Sequence, residues 1–174
     1  MPYFEPVAMH SFFVWLEATT LSTWIRESTS VWAFPTILSL HTIGMGLAAG
    51  LNAAVDLRIL GVAPSVPLLE LRRFMPVMWL GFWINAVSGV LLLIAYPTKA
   101  LTNPVFYVKL SCIALALVGI RAMAHSVFGD PSLDWGPATK RCRWLAIASL
   151  ICWTGAITAG RLLAYTYSHL TSFQ

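Results

Sequence analysis

Residues 31–55, VWAFPTILSLHTIGMGLAAGLNAAV, carry no formally charged side chain and a single histidine, His41. A helix needs about 20 mostly apolar residues to cross roughly 30 Å of hydrocarbon, where only internally hydrogen-bonded backbone is tolerated. This stretch is long enough, and it ends against Asp56 and Arg58. Three further stretches meet the same condition. Residues 74–96 are uncharged and close before "PTK"; residues 105–128 hold Lys109 near the start and Arg121 and His125 near the end; residues 144–167 are interrupted by Arg161. The connections "DLRILGVAPSVPLLELRR", "PTKALTNP" and "GDPSLDWGPATKRCR" are short, which makes neighbouring helices antiparallel. The pattern predicts an all-α fold, an integral membrane four-helix up-down bundle forming one domain over residues 1–174.

Composition agrees. Of 174 residues, 58% are hydrophobic and 10% charged, and the mean hydropathy of +0.74 lies far outside the soluble range. The formal charge of +4 and pI near 9.2 do not point to nucleic acid, because the basic residues are scattered between apolar runs and form no continuous surface. Cys112, Cys142 and Cys152 contain no C-x-x-C, and two of them fall inside apolar runs where sulfur behaves as a small hydrophobe. Neither a disulfide framework nor a zinc site is expected. The opening "MPYFEPVAMHSFF" lacks the early basic residues of a cleaved signal, so the first span is expected to act as an uncleaved one.

Residues 4–27, FEPVAMHSFFVWLEATTLSTWIRE, read as an amphipathic helix in the membrane interface, because a fifth span would carry Glu17 into hydrocarbon. The positive-inside rule orients the rest. Arg58, Arg72, Arg73, Lys140, Arg141 and Arg143 share one face, with Arg121 nearby, against Arg26 and Lys99 on the other, so the first face is expected in the cytoplasm of a bacterial inner membrane and both termini in the periplasm.

Helices in lipid associate through small residues and interhelical hydrogen bonds. Gly44 and Ala48 share nearly the face of His41; Gly81, Asn85, Ser88 and Gly89 form a stripe in the second helix; Ser149, Cys152, Ala156 and Gly160 form one in the fourth. At about 1.5 Å per residue His41 is expected roughly 14 Å deep, with Asn85 at similar depth and Lys109 and Arg161 roughly 7 to 10 Å below the periplasmic surface. His41 and His125, on helices running the same way, then differ in depth by about 15 Å and should not share one iron.

Several binding chemistries fit these residues. A haem b takes His41 or His125 as axial ligand, with methionines such as Met45 and Met78 or His10 as second ligands. Copper suits imidazole and thioether together, although the methionines are scattered. A quinone or lipid headgroup would hydrogen-bond His41 or Asn85 and place anionic groups against Lys109 and Arg161. Packing alone offers different roles: a neutral His41 bonded to Asn85 or Ser88, cations snorkelling to the interface, and Arg121 with His125 at a solvated helix end near Asp130 and Asp134. No nucleophile with an adjacent base, paired carboxylates or phosphate loop is present, and the acidic residues are read outside the cores of the spans, which argues against hydrolysis and proton-coupled transport.

The motifs "LEATTLSTWIREST", "WAFPTILSLHTIG", "DLRILG", "NPVFYVKL" and "RAMAHSVF", in that order from about Leu16 to Phe128, resemble a family of small bacterial four-helix membrane proteins catalogued as a domain of unknown function. The architecture is remotely similar to copper-resistance membrane proteins and four-helix cytochrome b proteins, but the sequence departs from the four-histidine arrangement that a two-haem cytochrome b of that type uses. What the resemblance implies is confined to His41 and His125 as motif histidines. The expectation is therefore a redox-linked, haem b or quinone-interacting electron-transfer subunit with cofactor contacts at His41, His125, Asn85, Arg121, Lys109 and Arg161 and metal ligation at His41 and His125. The alternative is a non-catalytic accessory subunit that packs against membrane-protein partners or forms a homo-oligomer.

Overall fold

The computed structural model describes residues 7–127 and 138–170, and among these every regular element is helical. Short helices α1 (Val7–Glu17) and α2 (Thr20–Glu27) precede the first long helix, α3 (Phe34–Ile59). A one-turn-scale α4 (Leu68–Arg72) leads into α5 (Met75–Ala95), α6 (Pro97–Leu101) bridges to α7 (Pro104–Val127), and α8 (Lys140–Leu170) closes the chain. Four helices are long and apolar enough to cross a membrane: α3, α4–α5 taken together, α7 and α8. The protein is a multi-pass membrane protein with a four-helix bundle in contact with the lipid bilayer.

Proline marks the start of several helices. Pro35, Pro76 and Pro97 each sit in a first turn, where a missing backbone N–H leaves no bond unmade. The expected interfacial helix is instead two helices. Thr19 adopts extended backbone angles, caps α2 by accepting from the Ser22 N–H at 3.4 Å, and donates its own hydroxyl to the Leu16 carbonyl at 2.7 Å. Both helices fold onto the bundle end: Ile25 is buried with Ile37 and Ala95, and the Ser22 hydroxyl donates to the Ala95 carbonyl. Glu17 accepts from the Thr98 N–H at the start of α6 at 3.3 Å.

The bundle is two antiparallel hairpins, α3 with α5 and α7 with α8, joined where α3 packs against α8. Its middle is an alanine-rich core of Ala48, Ala49, Met78, Ala116, Ile120 and Trp153, drawn from all four long helices. The closest approach is between α3 and α5. A Cβ placed on Gly44 would lie 2.6 Å from the Asn85 nitrogen and 2.7 Å from the Gly81 oxygen, so only glycine admits this crossing. Outward faces carry bulky apolar side chains such as Leu80, Val87, Leu115, Val118 and Ile151, as lipid contact requires.

Two boundaries differ from the sequence expectation, and both matter. Residues 31–33 form a turn, so α3 begins at Phe34 and His41 is only seven residues, about 10 Å, from its start. It lies shallower than the midplane position expected from a start at Val31. At the other end α3 does not stop at Asp56 but continues to Ile59, enclosing Asp56 completely and leaving Arg58 8% exposed. A carboxylate read as lying outside the span is inside the bundle.

Candidate functional site

His41, on the inner face of α3, is held from two sides. Its Nδ1 lies 3.0 Å from the Asn85 backbone oxygen and 3.1 Å from the Ser88 hydroxyl on α5. A carbonyl only accepts, so Nδ1 carries the hydrogen, and the network assigns the Nδ1–H tautomer. Asn85 returns the contact, its side-chain amide donating to the His41 backbone oxygen at 2.7 Å. Gly89 leaves room for the ring, since a Cβ there would come within 3.1 Å of the imidazole Cε1.

The other ring nitrogen faces α7. Lys109 Nζ lies 3.2 Å from His41 Nε2, and with the tautomer fixed this nitrogen accepts from the ammonium. Its aliphatic stem passes beside Gly160 of α8, where a Cβ would meet Lys109 Cε at 3.7 Å and Nζ at 3.8 Å, an ordinary van der Waals contact. Lys109 therefore points into the bundle and not up to the interface. The imidazole is its only hydrogen-bond partner among the described residues, and no carboxylate pairs with it there.

On the lipid side of this network lies an apolar groove between α3 and α5, of about 350 Å³, walled by Leu40, Trp83, Val87 and Leu91 with Ser88 at its base. The Ser88 hydroxyl donates to the Ile84 carbonyl at 2.6 Å, which leaves its oxygen to accept from Nδ1. A hydrogen-bonded line thus runs from Lys109 through His41 to Ser88 and the groove.

Of the six residues expected in a cofactor site, the fold brings together His41, Asn85 and Lys109. Arg161 is exposed on α8, next to the Gly160 that Lys109 crosses, and Arg121 is exposed on α7 twelve residues beyond Lys109, about 18 Å along the helix. The side chains of His125 and His10 lie outside the described residues. The backbone alone separates the two motif histidines: Lys109 is level with His41, and His125 follows sixteen residues, about 24 Å, further along α7. They do not meet at one iron. His41 also presents no free nitrogen to a metal, because Nδ1 is spent on α5 and Nε2 faces an ammonium. Among the described residues no group of three histidine, cysteine or acidic side chains gathers.

The structure also contains a second polar cluster toward the opposite end, formed by Asn52 and Asp56 of α3 with Ser149 of α8. The i, i+4 spacing of Asn52 and Asp56 in "NAAVD" was the available signal, since it sets both on one helix face. Ser149 already stood in the small-residue stripe of the fourth helix.

Comparison of the chain with known protein families, curated proteins and solved structures returns no match. The site is therefore judged on its own geometry.

Proposed function

We propose that this protein is a quinone-interacting subunit of an electron-transfer assembly, placed in a bacterial inner membrane with the α3–α4 connection in the cytoplasm. The observation that carries this reading is the Lys109–His41–Ser88 line ending at the base of a lipid-open groove. An intramembrane ammonium with no carboxylate partner among the described residues calls for an electron-rich oxygen as its final acceptor. A quinone supplies one as a carbonyl, while its isoprenoid tail suits the apolar walls; the groove is within the usual size of small-ligand sites.

The chain's own groups have distinct tasks. For a carbonyl at the base of the groove the Ser88 hydroxyl would turn from the Ile84 carbonyl to donate to it, while the Nδ1–H of His41 stays on the Asn85 carbonyl and the Ser88 oxygen, Asn85 fixes the ring, and Lys109 stabilises charge that develops as electrons arrive from a partner redox protein. As one proton passes from Lys109 to Nε2, the Nδ1 proton would pass to the Ser88 oxygen and the Ser88 hydroxyl would release its own to the reduced quinone oxygen, leaving Lys109 neutral. The same line gives the site polarity without a metal.

Trp83 in the groove wall makes a direct test. Protein in nanodiscs is titrated with a short-tail ubiquinone, and the part of the fluorescence quenching lost in Trp83→Phe is taken as the site signal. Saturable quenching is expected, with half-saturation raised about tenfold, roughly 1.4 kcal/mol, in His41→Phe and Lys109→Met. Unsaturable quenching that is the same in wild type and both variants would reject the reading.

A further inference from the structure

Asp56 and its neighbours form a site that the quinone reading does not use. Asp56 is 0% exposed, Asn52 2% and Ser149 2%. The Asn52 amide donates to Asp56 Oδ2 at 3.2 Å and to the Ser149 hydroxyl oxygen at 2.7 Å, which uses both of its hydrogens and fixes its orientation. Asp56 Oδ1 is buried with no hydrogen-bond partner, and neither carboxylate oxygen joins an ion pair among the described residues. We propose that Asn52, Asp56 and Ser149 form a binding site for a small alkali cation, sodium in size, coordinated through Asp56 Oδ1.

Charge and geometry both favour that ligand. A buried carboxylate without a cation is strongly disfavoured, so something must neutralise it or supply its missing partner. A proton is the other way to neutralise it, and Oδ1 has no hydrogen-bond partner among the described residues to receive such a proton's hydrogen bond. A metal cation needs only lone pairs, and every free valence here is an oxygen: Oδ1 wholly, and one remaining lone pair each on Oδ2 and the Ser149 hydroxyl, as hard cations prefer. A single positive charge balances the carboxylate. A divalent ion would leave excess positive charge beside Arg58, the buried cation two residues along α3.

Among the described residues no other charge at this end forms an ion pair with the carboxylate. Arg58 directs Nε to the Val66 carbonyl, Arg73 pairs with Glu70 at 3.2 Å, and Arg72, Lys140, Arg141 and Arg143 are exposed. Exposed charges are screened over roughly 8 Å at physiological salt, whereas a contact inside the bundle is not. Between this cluster and His41 stands the alanine-rich core, eleven residues or about 16 Å along α3, so the two sites are separate and fail or hold independently.

The test is thermal unfolding of the full-length protein in detergent, in sodium chloride against choline chloride at equal ionic strength. A ligand that binds only the folded state raises its stability in a saturable way. Sodium is expected to raise Tm in wild type, Ser149→Ala to raise the half-saturating sodium concentration about tenfold, and Asp56→Asn to remove the response. Sodium-independent Tm in wild type overturns the site. So does a Tm that rises on acidification and ignores sodium, which would place a proton on Asp56. Should Asp56→Asn not fold, wild type and Ser149→Ala still decide: an unchanged half-saturation in Ser149→Ala rejects the assigned ligands.

Discussion

Lys109 on α7 and His41 on α3 meet at 3.2 Å through Nζ and Nε2, with the imidazole anchored from behind by the Asn85 carbonyl. One side chain thereby joins its own helix α3 to α7 through Nε2 and to α5 through Nδ1. The contact also orders the chemistry, because a ring that accepts on one nitrogen and donates on the other can pass a proton while the helices stay fixed.

The tautomer is the first consequence that can be measured. Selective ¹⁵N labelling of histidine should show His41 with a protonated Nδ1 and an unprotonated Nε2. Lys109→Met should keep that tautomer, because the Asn85 carbonyl still selects it, while shifting the Nε2 resonance as its donor disappears. An Nε2–H tautomer in wild type would contradict the hydrogen-bond line from lysine to groove. The lost bond should lower stability by about 1 kcal/mol, the scale of interhelical hydrogen bonds in membranes.

The α3–α5 crossing gives a sharper contrast. Gly44→Ala brings a Cβ to 2.6 Å from one backbone atom of α5 and 2.7 Å from another, and neither can move unless the helices part. Gly46 and Gly50, on the same helix, meet nothing within 4 Å. Gly44→Ala should therefore destabilise by about 2 kcal/mol, in the range for overpacking, whereas Gly46→Ala and Gly50→Ala should stay within about 1 kcal/mol of wild type. Thermal unfolding in one detergent compares all three. Equal effects at the three positions would mean that the crossing is not close.

The four spans and their antiparallel order were legible because hydrocarbon leaves few alternatives for twenty uncharged residues. The inner face of α3 was legible too, since Gly44, Ala48 and His41 recur at helical spacing. What the pattern could not supply was phase and exact length. Starting α3 at Val31 instead of Phe34 set His41 about 4.5 Å too deep, which separated it from Lys109. Ending the span at its first charge assumed that a carboxylate avoids the bundle, but Asp56 turns toward Asn52 and Ser149 and not toward lipid. That choice depends on which helix stands opposite, and a single sequence does not say.

Orientation follows from where the basic residues fall once the helices are placed. Arg72 and Arg73 flank the start of α5 and Lys140, Arg141 and Arg143 the start of α8, whereas the α5–α7 end offers Lys99 and, on α2, Arg26. The proposed orientation, with the first end in the cytoplasm, rests on the positive-inside rule. Ser65 and Thr102 are exposed at opposite ends. In a chain whose three native cysteines are replaced, a membrane-impermeant maleimide added to cells with a permeabilised outer membrane should label Thr102→Cys and spare Ser65→Cys. The reverse pattern would invert the topology.

Iron ligation offers the last discrimination. Ligation at Nε2 requires an unshared electron pair on that nitrogen, and here the pair accepts from an ammonium whose charge would repel the metal. The second motif histidine gives no help at the same iron, about 24 Å along α7 from the level of Lys109. Protein purified from haem-replete cells should accordingly show no Soret absorption from a His41-ligated haem. Lys109→Ala removes the competing cation and frees Nε2, so added hemin should bind this variant more tightly than wild type. A Soret band in wild type that disappears in His41→Ala would show that Lys109 swings away to admit iron, and the lysine would then be a gate for the metal instead of a partner of the ring.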